Sequence, residues 1–307
     1  LFFILMFTKC DIYFSNDLDT LIANFLASKI KKKPLVYDSH EFFTEAAGLT
    51  NAPLKRLFWL LIEKLTVPKV GQMITVNNSI AESYKQRYGI RVDVMRNMPL
   101  LSDIPQADHR VPFEKYGVRT DLPIMLLQGA FMDRDRGTSD AVNALEEITD
   151  ATLVLVGAGI EWEESLERMD DSRWKGRLYC IPRLPYDELK ELTASADVGL
   201  SLDKSLHTNY QLSLPNKLFD FIHVGLPIVA SPMVEVKRIV EEYGVGVVAD
   251  EVSTKAIAKA VKEVLSQPKE HWRKACLNAR ENLHWGADAH IILEQLDRAK
   301  SQPWVKH

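Results

Sequence analysis

Residues 213–231 read SLPNKLFDFIHVGLPIVAS, a stretch that predicts a helix over 216–224 and a strand over 227–230. Pro215 stands just before the helix, at a position where its missing N–H costs little. Lys217 lies in the first turn, where a cation is unfavourable by about 0.3–1 kcal/mol unless an anionic ligand binds there. Two interpretations stay open: a surface helix with an accidental basic start, or a helix whose N-terminus binds an anion.

The alternation of strand and helix continues on both sides of this stretch. Short apolar strands are predicted at 11–17, 34–38, 72–76, 92–95, 124–127, 152–156, 178–181, 198–202 and 245–248. Helices of about 10–15 residues between strands are typical of βαβ units with a parallel sheet. Residues 98–122 contain several prolines and charges without periodicity, which indicates a connection between domains. The pattern therefore predicts an α/β protein with two Rossmann-like, doubly wound parallel-sheet domains.

Composition excludes several classes of protein. The 307 residues suit domains of about 100–200 residues each, and the 46% of hydrophobic residues excludes a disordered chain. The longest uncharged apolar run covers residues 1–7, whereas a membrane-spanning helix needs about 20 residues. The three cysteines are far apart and show neither a disulfide framework nor zinc spacing, which favours a cytosolic protein.

Charge is distributed unevenly along the chain. The formal net charge of −4 gives no general case for nucleic-acid binding. Residues 1–104 contain 13 Lys and Arg against 10 Asp and Glu, whereas residues 105–307 contain 25 against 32. The basic first part favours contact with an anionic partner such as a membrane surface.

Ligands of doubly wound sheets bind at the carboxyl ends of the strands, so the residues there are the candidates. Gly129 would let the backbone approach a ligand, and Arg134 and Arg136 could bind a diphosphate. Alternatively, this loop is a solvated turn whose arginines pair with Asp133 and Asp135. Those two acids also resemble the D-x-D motif of some metal-dependent transferases, but carboxylates beside two arginines make a poor Mg²⁺ site.

Three further positions carry possible chemistry. Asp220, one turn into the helix of 216–224, could accept hydrogen bonds from a diol such as ribose. His40 follows a strand and could orient a hydroxyl or transfer a proton, although such a histidine is more often structural. Gly157-Ala-Gly159 is a weak dinucleotide signal and indicates a tight turn lining a cleft.

Several sequence motifs of this chain resemble those of the family 4 glycosyltransferases of the GT-B type, the bacterial group 1 enzymes, and they occur in the same order along the chain. The resemblance covers about residues 11–285 and includes Arg136-Gly137. Its longer motifs are VYDSHEFFTE (36–45), ITVNNSI (74–80), PYDEL (185–189), ADVGL (196–200), LPNKLFDF (214–221) and GLPIVAS (225–231).

The resemblance implies a domain organisation and an activity. It implies an incomplete acceptor-side domain over 1–104, joined by a C-terminal helix over 285–303, and a donor domain over 120–284. Residues 1–7 would be the end of a helix whose partner strands are missing. The implied reaction is retaining transfer from a UDP- or GDP-sugar to a glycan or lipid-linked acceptor in surface polysaccharide synthesis, with no metal or cofactor. The implied place is the cytoplasm, at the inner face of the cell membrane.

The resemblance also implies roles for individual residues. His40 would face the transferred sugar, and Asp220 would bind the ribose of the donor. The other implied contacts are the diphosphate at Gly129, Arg136, Asn216 and Lys217, and the base near Ile181 and Arg183.

The chain departs from the family pattern at two positions. Leu212 replaces the first acid of the E-x7-E motif, so Asn209, Tyr210 or Gln211 would substitute for it, with Asn209 and Tyr210 beside the sugar. Ala130 replaces an arginine, whose place Arg134 would take. Two alternatives stay open: a GT-B sugar-nucleotide epimerase and a non-catalytic nucleotide-sugar-binding fragment.

Overall fold

The computed structural model describes residues 1–105, 111–204 and 207–301, which form two units. The first unit contains Leu1–Asn97, His207–Leu214 and the C-terminal helix, and the second contains the described parts of Met98–Leu206 together with Pro215–His284. Residues 207–214 lie inside the predicted range 120–284, yet they pack with the first unit.

The helices and strands follow the predicted alternation. In chain order the α-helices are α1 (Phe2–Phe7), α2 (Asp17–Lys31), α3 (Ala47–Thr50), α4 (Pro53–Thr66), α5 (Asn78–Tyr88), α6 (Val111–Glu114), α7 (Thr138–Ala144), α8 (Ile160–Arg168), α9 (Tyr186–Ala194), α10 (Thr208–Gln211), α11 (Asn216–Val224), α12 (Val234–Tyr243), α13 (Thr254–Ser266), α14 (Lys269–Arg280) and α15 (Trp285–Ser301). The strands are β1 (Tyr13–Asn16), β2 (Leu35–Ser39), β3 (Gln72–Thr75), β4 (Asp93–Val94), β5 (Ile124–Gly129), β6 (Thr152–Gly157), β7 (Leu178–Pro182), β8 (Val198–Ser201), β9 (Ile228–Ala230) and β10 (Gly246–Val248).

The first unit is built on a parallel sheet in the order β1-β2-β3-β4. Successive residues of a strand face opposite sides of a sheet, and both sides are covered here. Tyr37 packs in a core with side chains of α2, α4 and α5, whereas Val36 packs with Ala299 of α15 on the other face. Because β1 and β2 run parallel, their carboxyl ends lie at the same edge of the sheet.

The second unit is built on a parallel sheet in the order β10-β9-β8-β5-β6-β7. The chain proceeds outward from β5 through β6 and β7, then returns to the other side of β5 at β8. In such a sheet the carboxyl ends of the strands at this reversal form a crevice for ligands. Gly199 lets α11 pack close to β8, because a Cβ at this position would collide with the ring of Phe221.

Local signals set several element ends. Gly89 ends α5 in the left-handed conformation, with φ of 67°, which glycine adopts readily. The side chain of Ser253 accepts a hydrogen bond from the N–H of Ala256 and so caps α13. Helix α14 was not predicted from the sequence.

The two parallel sheets are those of the GT-B class that the resemblance implied. Among the described residues, no helix combines the length and apolar composition needed to cross a bilayer.

Candidate functional site

A cavity of about 530 Å³ lies in the second unit, at the carboxyl ends of β5 and β6. Its volume falls within the range of about 300–1,000 Å³ that is usual for small-molecule sites. Six residues predicted to contact a donor line it: Gly129, Arg136, Arg183, Asn216, Lys217 and Asp220. Other lining residues include Gln128, Ala130, Phe131, Met132, Leu184, Leu189 and Pro215.

The loop that follows β5 is held over this cavity by close packing against the Gly157-Ala-Gly159 turn. The N–H of Met132 donates to the carbonyl of Ala158 at 2.7 Å, and the carbonyl of Met132 accepts from the N–H of Glu161 at 2.9 Å. A Cβ on Gly157 would collide with the carbonyl of Gly129, and a Cβ on Gly159 with the backbone of Met132. The two glycines therefore position this loop.

Arg183 and Phe131 form a flat pair at the rim of the cavity. The Arg183 guanidinium lies 4.3 Å from the centre of the Phe131 ring, and its Nε donates to the carbonyl of Ala130 at 2.8 Å. Phe131 is 62% exposed. Ile181 is buried, and its carbonyl accepts a hydrogen bond from the indole of Trp162. Arg183 therefore lines the cavity directly, whereas Ile181 lies behind it.

Two cations at the cavity share a buried carboxylate. Arg136 donates to one oxygen of Asp203 at 2.7 Å, and the Lys217 ammonium lies 3.2 Å from the other. Burial raises the pKa of Asp203, but the charges of Lys217 and Arg136 outweigh burial, so its pKa lies below the ordinary value. Arg136 and Lys217 thus meet at one buried carboxylate beside the cavity.

The backbone explains why Arg136 reaches Asp203. Gly137 has φ of 68°, and a Cβ there would collide with the backbone of Leu202. This contact brings the Arg136-Gly137 pair against the end of β8, where Asp203 follows. Sequence analysis named no role for Asp203; the available signal was its position directly after a strand at the same sheet edge.

Arg134 occupies a different position from Arg136. Its guanidinium pairs with Glu164 at 3.0 Å, its side chain is 70% exposed, and it is not among the residues that line the cavity. Arg183, rather than Arg134, holds the loop at Ala130, where the family pattern has an arginine.

Asp220 is held inside the cavity by two neutral donors. The hydroxyl of Tyr186 donates to one carboxylate oxygen at 3.3 Å, and the amide of Gln128 donates to the other at 3.4 Å. The Gln128 carbonyl oxygen accepts from the hydroxyl of Thr193 at 2.8 Å, which orients the amide. Burial raises the pKa of Asp220 to about 6, although these hydrogen bonds oppose the shift. The carboxylate is pre-oriented and keeps capacity to accept further hydrogen bonds.

His40 belongs to the first unit, at the carboxyl ends of β1 and β2. The ring Nε2 of His40 lies 3.2 Å from a carboxylate oxygen of Asp38. The backbone N–H of His40 donates to the carboxylate of Asp17 at 2.9 Å. The hydrogen bond to Asp38 raises the pKa of His40 above its ordinary value, although burial opposes it. The side chain is about half exposed, which leaves it accessible to a ligand. Asp17 has φ of 57°, a strained conformation for this residue type.

Asn209 and Tyr210 lie on α10 and also belong to the first unit. The buried Asn209 amide accepts from the N–H of Phe42 at 2.8 Å and donates to Glu41 at 2.9 Å. The Tyr210 ring centre lies 6.0 Å from that of His207. Asn77 donates to the carbonyl of Leu212 at 2.7 Å, which fixes the end of this segment.

The structure thus divides the predicted residues between its units. It brings together six of them around the cavity of the second unit, and it places His40, Asn209 and Tyr210 in the first. Within the described ranges, no group of three or more His, Cys, Asp or Glu side chains is arranged to hold a metal ion.

Comparisons with known proteins relate the chain to sugar transferases. Residues 123–267 match the family model described as glycosyl transferases group 1. The chitobiosyldiphosphodolichol beta-mannosyltransferase of Candida albicans is 23% identical over 258 residues, an alignment that covers 77% of this chain and 55% of that protein. The chain therefore spans about half the length of this curated relative.

Solved structures share the fold at low sequence identity. The Anabaena protein Alr3699/HepE in complex with UDP superposes with a TM-score of 0.74 at 16% identity, covering 94% of this chain and 78% of that one. Sucrose-phosphate synthase from Thermosynechococcus elongatus superposes with a TM-score of 0.71 at 18% identity, covering 94% and 73% respectively. At these identities the structures establish the fold that this chain shares with them.

Proposed function

We propose that this chain is a glycosyltransferase that moves a sugar from a UDP- or GDP-sugar to a glycan or lipid-linked acceptor, in keeping with the match of residues 123–267 to the group 1 glycosyltransferase model. The observation that carries this proposal is the cavity of the second unit, where Arg136 and Lys217 share the single carboxylate of Asp203. A pocket lined by two cations, a pre-oriented carboxylate and a flat rim suits the three parts of a nucleotide diphosphate.

The diphosphate would bind beside Arg136 and Lys217. The backbone N–H groups of Asn216 and Lys217, at the start of α11, would add donors for the phosphates. Gly129 would let the backbone approach them closely. Asp203 keeps both cations in place before the ligand arrives, so less free energy is spent on ordering them when it binds.

The nucleoside would occupy the other side of the cavity. Asp220 would accept hydrogen bonds from the ribose hydroxyls, with Tyr186 and Gln128 orienting its carboxylate. The stacked pair of Phe131 and Arg183 offers a flat surface for the base. This surface is tolerant of base identity, which is why both UDP- and GDP-sugars are proposed donors.

In the proposed reaction, the acceptor oxygen bonds to the anomeric carbon as the bond from that carbon to the diphosphate oxygen breaks. The acceptor proton passes to the departing diphosphate, and the stereochemistry is retained. Negative charge develops on the leaving group, where Arg136 and Lys217 would stabilise it without a metal. His40, held by Asp38, would hydrogen-bond to the transferred sugar.

Named relatives guide the choice of donors to test. The Candida relative is named as a mannosyltransferase, and Alr3699/HepE has also been solved with UDP-glucose. We propose that the reaction serves surface polysaccharide synthesis in the cytoplasm, at the inner face of the cell membrane.

The test is incubation of the chain with radiolabelled UDP-glucose or GDP-mannose and a membrane lipid extract. Label transferred to lipid is the expected result. A changed free nucleotide sugar would instead identify an epimerase, and binding without turnover would identify a non-catalytic protein. Either outcome would overturn the proposal. Asp220→Ala should abolish label transfer, whereas Asp250→Ala, at an exposed position of the same unit, should leave it unchanged.

A further inference from the structure

Helix α4 of the first unit presents an apolar stripe to solvent. Leu54, Leu57, Phe58, Leu61 and Leu65 follow one another at helical spacing, and each is between 51% and 83% exposed. A surface helix ordinarily turns its apolar face toward the core and its polar face outward. Here other residues of α4 occupy the inward face, so the apolar stripe lies on the outward face.

The inward face of α4 is already fully packed. Ile62 and Thr66 are buried, and Glu63 is buried with its carboxylate bonded to Arg87 and Tyr88. Rotating the helix to bury the stripe would expose these residues and break the Glu63 contacts. The exposed stripe is therefore a fixed feature of the first unit.

The apolar surface extends onto the neighbouring helix. Helix α2 contacts α4, and its Leu26 and Ile30, one turn apart, are 44% and 58% exposed. Single exposed apolar side chains are usual on proteins, but a set of seven on two packed helices is larger than chance exposure explains. A surface of this kind indicates an interaction partner.

Charge identifies the chemistry of that partner. Lys55 and Lys64 are exposed on α4, Lys69 follows it, and Lys32 follows α2. Both helices connect parallel strands, so their carboxyl ends and these last two lysines lie at the same edge of the sheet. Glu63 is the only acid in the α4 sequence, and it is buried, so the exposed side of α4 carries positive charge without exposed acids of its own. On α2, Asp19 is exposed as well.

We infer that the exposed faces of α4 and α2 dock the first unit on the surface of an anionic phospholipid bilayer. This inference rests on the proposed function, because a lipid-linked acceptor lies at such a surface. Helices that lie in a membrane interface combine large apolar side chains with flanking lysines. Docking would leave α4 in the plane of the interface.

A second copy of the chain fits this surface less well than a bilayer does. In a twofold dimer the same face meets itself, so the lysines of one copy would approach those of the other. Like charges at an interface are unfavourable, whereas anionic headgroups attract the lysines while the acyl region accepts the leucines.

The first test measures co-sedimentation with vesicles of phosphatidylcholine that contain phosphatidylglycerol. Replacing Leu57 and Leu61 together by glutamine should weaken binding at least about tenfold, because two large apolar contacts are lost. Leu293→Gln is the matched control: Leu293 is 63% exposed on α15, which covers the opposite face of the sheet, and its loss should leave binding unchanged.

The second test removes charge. Replacing Lys55 and Lys64 by glutamine should reduce binding to the anionic vesicles several-fold, since each lysine near such a surface contributes a screened attraction. Binding to vesicles of phosphatidylcholine alone should change little. Lys262→Gln, an exposed lysine of α13 in the second unit, is the control and should bind like the unchanged protein.

The outcomes separate this inference from the proposed function. Variants that lose vesicle binding but keep UDP or GDP binding by calorimetry support the inference. Equal vesicle binding by the α4 variants and the unchanged protein would overturn it. The inference would also be overturned if the unchanged protein formed a concentration-dependent dimer and the leucine variants did not. If the unchanged protein binds the vesicles but binds neither UDP nor GDP, that result would count against the proposed function alone.

Discussion

At the scale of single residues, the binding role proposed for Asp220 comes with a cost to stability. Its carboxylate is buried and meets only neutral donors. We predict that Asp220→Ala weakens UDP or GDP binding by about 10- to 100-fold, because a hydrogen bond to a charged acceptor contributes about 1.5–3 kcal/mol. Calorimetric titration measures the affinity, and circular dichroism should show an intact fold. Unchanged affinity would refute the assignment of this residue to the ribose.

The raised pKa of Asp220 also predicts a pH dependence of stability. Because its pKa rises from 3.8 to about 6 on folding, the folded state pays to ionise it, and that cost is complete only above pH 6. Asp220→Asn should therefore raise the free energy of unfolding by about 2–3 kcal/mol at pH 8. The gain should shrink as the pH falls from 6 to 4. Urea unfolding at pH 8 and at pH 4 measures this difference, and a gain in stability that is independent of pH would contradict the prediction.

Asp203 acts through the two cations that it holds. We predict that Asp203→Asn lowers the free energy of unfolding by about 3 kcal/mol, because Arg136 and Lys217 lose their buried counter-charge. Adding Arg136→Gln should recover part of this loss, since it removes one of the two unbalanced cations. Asp250→Asn is the control: its pair with Lys259 is exposed, so its loss should cost less than about 0.5 kcal/mol. Equal effects at the two positions would contradict the role given to Asp203.

At the scale of elements, the Gly157 turn determines where the loop after β5 lies. We predict that Gly157→Ala lowers stability by about 1–3 kcal/mol through overpacking against Gly129 and also weakens nucleotide binding by displacing the loop. Gly176→Ala is the comparison, because its φ of 74° is also positive but no atom lies near its Cβ. It should cost about 1 kcal/mol of strain with nucleotide affinity unchanged. Urea unfolding and calorimetry measure the two quantities.

The types of the elements followed from local sequence patterns, whereas the contacts made by some turns did not. The predicted helix over 216–224 coincides with α11, because apolar spacing and Pro215 fix it locally. The Gly157-Ala-Gly159 turn was recognised as tight, but its contact with Met132 depends on a residue 27 positions away from Gly159 in sequence. Periodicity carries no information on such a partner.

At the scale of the whole molecule, every residue that lines the cavity proposed to bind the donor belongs to the second unit. We predict that UDP or GDP slows hydrogen exchange most in residues 129–132, in residues 157–159 and in the first turn of α11. Bound ligand stabilises the state it binds by about 2.7 kcal/mol at a concentration of 100 Kd. Mass spectrometry of exchanged peptides measures this effect. Protection confined to the first unit would refute the position of the donor site.

The sequence by itself determined the α/β class, the two parallel sheets and six residues around the cavity. The class and the sheets follow from local periodicity. Gly129, Arg136, Lys217 and Asp220 also follow from the rule that ligands bind at strand ends, whereas Asn216 and Arg183 came from the family resemblance. Tertiary structure decided that Asp203 lies between Arg136 and Lys217, that Arg183 rather than Arg134 holds the loop at Ala130, and that residues 207–214 pack with the first unit. Each of these depends on contacts between segments far apart in the chain, which are fixed when the elements pack and leave no periodic trace in the sequence.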